Sequence, residues 1–153
     1  MECPLKASQL KQFALLAEFT EEEREVLVDL LEERTLPDGK SAFREGAESE
    51  GLVFLAEGRL KLKSRRTGAV VGVIEAPAHL GAASLFAFGK REVTALAEGG
   101  ATVHLLPRAG LPRLADDAPR AAFRLAEAVA SELAGLVRNG LDVLAEHDLG
   151  ETK

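Results

Sequence analysis

The sequence predicts an α+β, mainly β domain: a β-sandwich or rolled β-barrel with helices ahead of it and one long helix behind it. Three observations predict this. Short apolar runs punctuated by glycine fill the middle of the chain, a capping box marks a helix before them, and apolar residues recur three or four positions apart toward the C-terminus. With 153 residues, 46% of them hydrophobic and 29% charged, the chain can bury one substantial core and leaves little room for a second domain.

The elements follow in order within a single unit spanning residues 8–147. Residues 8–34 read as helical, with Leu10, Phe13, Leu15 and Leu16 on one apolar face. Thr20-Glu21-Glu22-Glu23 is a capping box ahead of Val26, Leu27, Leu30 and Leu31, and the acidic run to Glu33 is the solvated face of that helix. Pro37-Asp38-Gly39 closes the helical section and opens the β part, residues 35–110. Its strands are predicted at Ser41 to Arg44, Gly51 to Ala56, Arg59 to Arg65, Val70 to Ile74, Val93 to Ala97 and Ala101 to Leu106. From Arg59 to Arg65 the alternation is strict: Leu60 and Leu62 point one way, Arg59, Lys61, Lys63 and Arg65 the other. Thr67-Gly68 is a hairpin turn into Val70. The basic stripe, extended by Arg66, suits an acidic partner or anionic lipid, or is simply the wet face of an outer strand whose lysines discourage edge pairing.

Residues 111–147 return to a helical period. After a linker from Pro107 to Pro112 and a short turn at Leu111 to Ala115, a helix starts near Asp117 or Ala118 with Pro119 in its first turn. Leu125, Val129, Leu133, Leu136, Val137, Leu141 and Leu144 form one stripe along a rod that reaches about 45 Å if unbroken. Asn139-Gly140 is a C-cap signal that would split it. Such a rod overhangs a small β domain, so its near end is expected to pack on its own roll and its far end on a second copy, making a homodimer.

Composition excludes several functions. A net charge of −6 argues against a general nucleic-acid binder. Cys3 is the only cysteine, so there is no disulfide framework, and a cytoplasmic location is expected. No signal segment and no apolar run of membrane-spanning length occurs. The absence of Trp and Tyr removes the usual stacking residues for sugars and bases. There is no nucleophile elbow, Walker loop, His-Glu-x-x-His or cysteine pair, so an enzyme is not expected. His79, His104 and His147 are too scattered for a metal site.

One stretch, residues 80–95, carries the functional signal. Gly81 opens a short apolar helical turn, Gly89 closes it, and Arg91 follows at the start of a strand-like run. Helix N-termini attract anions, and an arginine fork facing one can add two hydrogen bonds to a phosphate. The candidate ligand residues are Gly81, Ala82, Ala83, Ser84, Arg91, Glu92 and Thr94. Alternatively, Arg91 pairs on the surface with Glu92, Glu98 or Glu75, and the glycines only make turns.

Taken with Gly39, Phe43-Arg44-Glu45-Gly46, the run from Leu52 to Leu60, Gly81, Arg91 and Thr94-Ala95, the order of elements resembles the cyclic-nucleotide-binding domain of the catabolite activator (Crp/Fnr) and protein-kinase regulatory-subunit superfamily. The resemblance covers Leu15 to His147 and implies a double-stranded β-roll of jelly-roll type. It also implies cyclic AMP or cyclic GMP as ligand, bound through Gly81 and Arg91. In ligand-binding members the cassette begins Gly-Glu, the glutamate holding the ribose hydroxyl; here that position is Ala82. Losing a hydrogen bond to a charged group costs about 1.5 to 3 kcal/mol, roughly a ten- to hundred-fold loss of affinity. Glu92 stands where members carry a small or hydroxyl residue, and Pro77-Ala78 replaces the family's Gly-Asp turn. At the positions where the activators offer hydroxyls to adenine, an ungapped comparison anchored on Pro119 places Leu136 and Val137.

These departures imply a non-enzymatic regulatory module with a degenerate pocket, acting through homodimerisation and protein partners. The alternative is a genuine receptor for a cyclic nucleotide or other small anion. Members that read DNA continue into a helix-turn-helix domain; only Asp148 to Lys153 follow here, so direct DNA binding is not expected.

Overall fold

A computed structural model describes the backbone of residues 5–151 and the side chains of residues 5–147; Cys3 lies outside the described residues. Among the described residues six antiparallel strands build a roll: β1 (Glu32–Leu36), β2 (Ser41–Phe43), β3 (Gly51–Lys63), β4 (Val70–Glu75), β5 (Ala78–Leu80) and β6 (Thr94–Pro107). Helix α1 (Glu21–Val28) precedes it, and α2 (Leu111–Asp117) and α3 (Pro119–Glu151) follow. The β-roll, the N-terminal helices and the long C-terminal helix are those expected.

Two long strands organise the roll. The first half of β3 pairs with β5 and with the second half of β6, while its second half pairs with β4 and with the first half of β6. Strands β1 and β2 complete the two halves along β6. The sequence separates each long strand into two runs, but glycines at the corner bend the ladder without ending it. At Gly58, φ is +85° and an added Cβ would lie 2.2 Å from the Gly100 carbonyl oxygen, while the β3–β6 register shifts on either side. Only a residue without a side chain can take that backbone at that separation.

Alternation along β3 serves two cores. Val53, Leu55 and Leu60 face into the roll with Leu36, Ala95, Ala97, Val103 and Leu105. Leu52 and Phe54 face the helices, with Leu10, Phe13, Leu27, Leu106, Leu114 and Leu125. Burial on both faces explains the unbroken apolar run from Leu52 to Leu55. The rings of Phe13 and Phe54 meet at 4.9 Å between centroids, tilted by 52°.

The N-terminal section departs from expectation in two ways. Its first part is not α-helical but two 3-10 segments, Ala7–Gln12 and Ala14–Leu16, separated at Phe13 by an extended residue. The apolar face nonetheless holds: Leu10, Phe13, Leu15 and Leu16 are all buried. The capping box forms as read, Glu23 N–H donating to Thr20 Oγ1 at 3.2 Å and Thr20 N–H to Glu23 Oε1 at 3.1 Å. The helix then stops at Val28, and Glu32 to Leu36, read partly as helix, is strand β1. Four of its five residues are exposed, so it presents no apolar alternation; only pairing with β6 makes it a strand. Strand β5 is likewise three residues defined by pairing with β3.

Helix α3 runs through Asn139-Gly140 without a break, 33 residues or about 50 Å long. Ala121, Leu125 and Val129 are fully buried and Leu133 half-buried; every described residue from Leu136 onward is exposed. No helix among the described residues is long and apolar enough to cross a membrane.

His104 is 4% exposed on the helix-facing side of β6, opposite Phe54 and Glu33. Burial lowers its pKa, an effect that the carboxylates of Glu33 and Glu57 oppose. The folded state therefore holds this proton less tightly than the unfolded chain does. The stabilisation is complete above the unfolded value of about 6.5 and is lost as pH falls below it toward the lower folded value. Denaturant unfolding of wild type and His104→Gln from pH 8 to pH 5 is expected to show a steeper acid-side loss in wild type. Parallel profiles would mean that His104 does not titrate differently on folding.

Candidate functional site

Residues 80–95 leave β5, make one turn and return as β6. Gly81 has φ +74°, in the left-handed region, and heads a single 3-10 turn, Ala82–Leu85. The short helical turn expected after Gly81 ends at Leu85, ahead of Gly89, and a dipole of four residues attracts an anion weakly. The turn, Arg91, Phe43 on β2 and the middle of α3 enclose a cleft of about 410 Å³.

Arg91 is 8% exposed, so the surface pairing with Glu92, Glu98 or Glu75 does not occur; Glu75 meets Arg59 instead, at 3.6 Å. The Arg91 fork is held by the protein itself. Nη2 donates to the Gly51 carbonyl at 2.9 Å, Nη1 reaches Ser84 Oγ at 3.4 Å, and the guanidinium lies 4.3 Å from the centre of the Phe43 ring. Its backbone is tied as well, N–H to Ala47 O and carbonyl to Gly46 N–H, both at 2.8 Å. Nε is buried without a hydrogen-bond partner. Burial lowers the pKa of Arg91, Glu50 opposes this, and Arg108 adds to it; a guanidinium nonetheless stays charged in a protein.

The remaining predicted residues divide. Ala83 and Glu92 are exposed and line the cleft, with Gly81 and Ser84. Ala82 also borders it but is 4% exposed, its methyl packed into the helix-facing core. Thr94 lies elsewhere: its Oγ1 accepts the Glu45 N–H at 2.9 Å, in a separate concavity with Lys40, Arg44 and Arg65. Of the two helix positions compared with adenine-contacting hydroxyls, Leu136 lines the cleft and Val137 does not.

Two contacts had no sequence signal. Arg108, just past β6, donates to the Ser49 carbonyl at 3.0 and 3.1 Å and to the Ser84 carbonyl at 3.0 Å, with Phe88 stacked at 4.0 Å. It pins the turn to the segment before β3. At the cleft mouth, His79 Nε2 and Glu132 Oε1 are 2.6 Å apart, joining β5 to α3. Both pairings span more than 20 residues, and neither residue type is unusual where it sits. Among the described residues no cluster could hold a metal ion.

The roll, its cassette and its buried arginine define the class of domain, a β-roll whose glycine turn and arginine sit against a long C-terminal helix. The sequence profile of the cyclic nucleotide-binding domain matches residues 33–118, more than half of the chain, and the chain belongs to that family. No curated protein matches it. Among solved structures, the N-terminal domain of a transcriptional regulator from Streptomyces coelicolor A3(2) is 27% identical, with a TM-score of 0.75 over 89% of this chain and 94% of that one. A cyclic nucleotide-binding-like protein from Brucella abortus is 24% identical, with a TM-score of 0.63 over 73% of this chain and 98% of that one. The Thermus thermophilus catabolite activator protein is 23% identical, with a TM-score of 0.73; 86% of this chain matches 62% of that one. The last two likenesses, under 25% identity, concern the fold alone.

A Cβ added at Gly81 would lie 2.3 Å from Arg91 Nη1. Gly81→Ala must therefore displace the buried fork as well as strain the backbone, for an expected loss of about 2 to 3 kcal/mol. Gly68→Ala, at φ +67° with nothing within 4 Å of the added carbon, meets only the backbone cost of about 1 to 2 kcal/mol. Urea unfolding of both variants measures the difference, and equal losses would show that Arg91 yields freely.

Proposed function

We propose that this protein is a non-enzymatic regulatory module of the cyclic nucleotide-binding family whose own cleft has largely lost cyclic-nucleotide recognition, and which works through homodimerisation and protein partners. The observation that carries the reading is Ala82. It borders the cleft, but its methyl packs into the helix-facing core and carries no acceptor, so the position that the family resemblance assigns to a ribose acceptor offers nothing to a hydroxyl.

Other contacts support it. Two donors of Arg91 are occupied by Gly51 and Ser84, and a phosphate would have to compete for them. Glu92 and Glu132 both line the cleft, adding two carboxylates to a site that would take an anion. Leu136 offers no hydrogen bond to a base. Arg91 itself favours the second reading, a receptor for a small anion: it is present, charged and borders the cleft, with Nε unpaired.

Dimerisation is assigned to the far part of α3. Val137, Leu141 and Leu144 lie four and three residues apart on one face, each about 60% exposed, a spacing that suits a helix pairing with its own copy.

Titration calorimetry with cyclic AMP and cyclic GMP tests the first part: no saturable heat is expected up to millimolar ligand. Micromolar binding that Arg91→Ala removes would replace this reading with the receptor one. Light scattering tests the second part, where wild type is expected at twice the mass of Leu141→Asp; equal masses would leave the stripe without this role.

A further inference from the structure

Strand β4 closes the order β1-β6-β3-β4 and pairs with β3 alone among the described residues. One row of its backbone N–H and C=O groups therefore has no strand beside it. Edges of this kind are usually protected by lysine, proline or a bulge. Val70-Val71-Gly72-Val73-Ile74-Glu75 carries no lysine and no proline, and its one irregularity falls at the hairpin end. Val71 is 56% exposed and Val73 46%.

The charge lies one strand further in. Lys61 stands opposite Val73 and Lys63 opposite Val70, while Arg65 and Arg66 top the hairpin. Arg59 is neutralised by Glu75. None of the side chains of Lys61, Lys63, Arg65 and Arg66 enters an ion pair among the described residues. An unpaired cationic row beside an open apolar edge contrasts with a chain whose net charge is −6.

We propose that the β4 edge is a docking site for an extended acidic segment of a partner protein, which adds as a further strand alongside Val70–Glu75. A strand edge recognises polypeptide backbone, and alternate side chains of the guest supply selectivity. On the outward face, guest residues adjoin Val71 and Val73, with the Lys61 row about 10 Å away at two strand spacings. A lysine stem leaning over a valine spans that gap, so glutamate or aspartate is favoured there. On the opposite face the guest meets Gly72 and Ile74, which favour small apolar residues.

Other occupants fit less well. A second copy joined at the same edge would set two cationic rows on either flank of the joint, and the one carboxylate on each β4, Glu75, is already engaged by Arg59. Single-stranded nucleic acid would find no Trp or Tyr to stack on and would leave the edge groups unpaired. The proposal gives the protein-partner part of the reading above a location. It is independent of the cleft and of α3, so its failure leaves the calorimetry and the Leu141→Asp result untouched.

The test uses the whole chain and a fluorescein-labelled peptide of alternating Glu and Val. The probe is expected to bind with a micromolar Kd and to shift amide NMR signals along Val70–Glu75. Lys61→Glu combined with Lys63→Glu should weaken it roughly ten-fold, the weight of two surface charge contacts. The same peptide with alternate amides N-methylated keeps its charge and should not bind. No binding by the first peptide, equal binding by the N-methylated one, indifference to charge reversal, or amide shifts confined to other surfaces would each overturn the proposal. Binding to phosphatidylserine vesicles without binding to the peptide would replace it with a membrane surface.

Discussion

A guanidinium taken out of water must be given acceptors, and the cassette is arranged around that requirement at Arg91. The Gly51 carbonyl and Ser84 Oγ supply acceptors and Phe43 supplies a ring face. The segments carrying these groups are far apart in sequence: β2, the start of β3, and the turn after β5. Removing the arginine would release all three. Gly81 follows from the same constraint, because any side chain there would occupy the place of Nη1. Arg108 repeats the device from the opposite side, holding Ser49 and Ser84 through their carbonyls. Two like charges are kept close, which is why Arg108 lowers the pKa of Arg91 while Glu50 offsets it.

This gives Arg91 two roles that family membership alone does not separate. A cation of this kind can hold the loop, or it can hold an anion, and the same atoms serve both. Here the structural bonds are made with no anion needed. A ligand using these two donors of the fork would gain only the difference between its own bonds and those it displaces, leaving Nε and the remaining Nη hydrogens as its net gain. That difference is small when one displaced acceptor is a backbone carbonyl at 2.9 Å. The fold can thus retain its arginine after the pocket around it has changed.

What was legible in the sequence follows from range. Gly81 and Arg91 are ten residues apart and the capping box spans three, so local chemistry reveals both. The inward set of β3 was visible as alternation at Leu60 and Leu62. Strand β1 was not, because Glu32 to Thr35 are exposed and the only inward residue is Leu36. Helical period was read into it because the acidic run preceding it is helical. The merging of runs into β3 and β6 was hidden because glycine signals a bend and a break alike; only the opposing Gly100 decides which. The burial of Arg91, the position of Thr94 on another surface and the His79–Glu132 contact all depend on tertiary placement. No local pattern encodes them.

Helix α3 is where cleft and far surface meet. Glu132, Leu133 and Leu136 border the cleft, and Val137, Leu141 and Leu144 begin one residue later on the same continuous helix. A rigid rod transmits a tilt along its length, and the His79–Glu132 contact is one point fixing that tilt against β5. Any molecule entering the cleft would press on the segment that carries this contact. Whether the far stripe responds depends on differential affinity: a ligand moves α3 only by as much as it prefers one helix position over another. A cleft in which two donors of Arg91 are already taken by Gly51 and Ser84 offers less such preference. A partner acting at the roll surface, by contrast, need not reorganise the buried arginine at all.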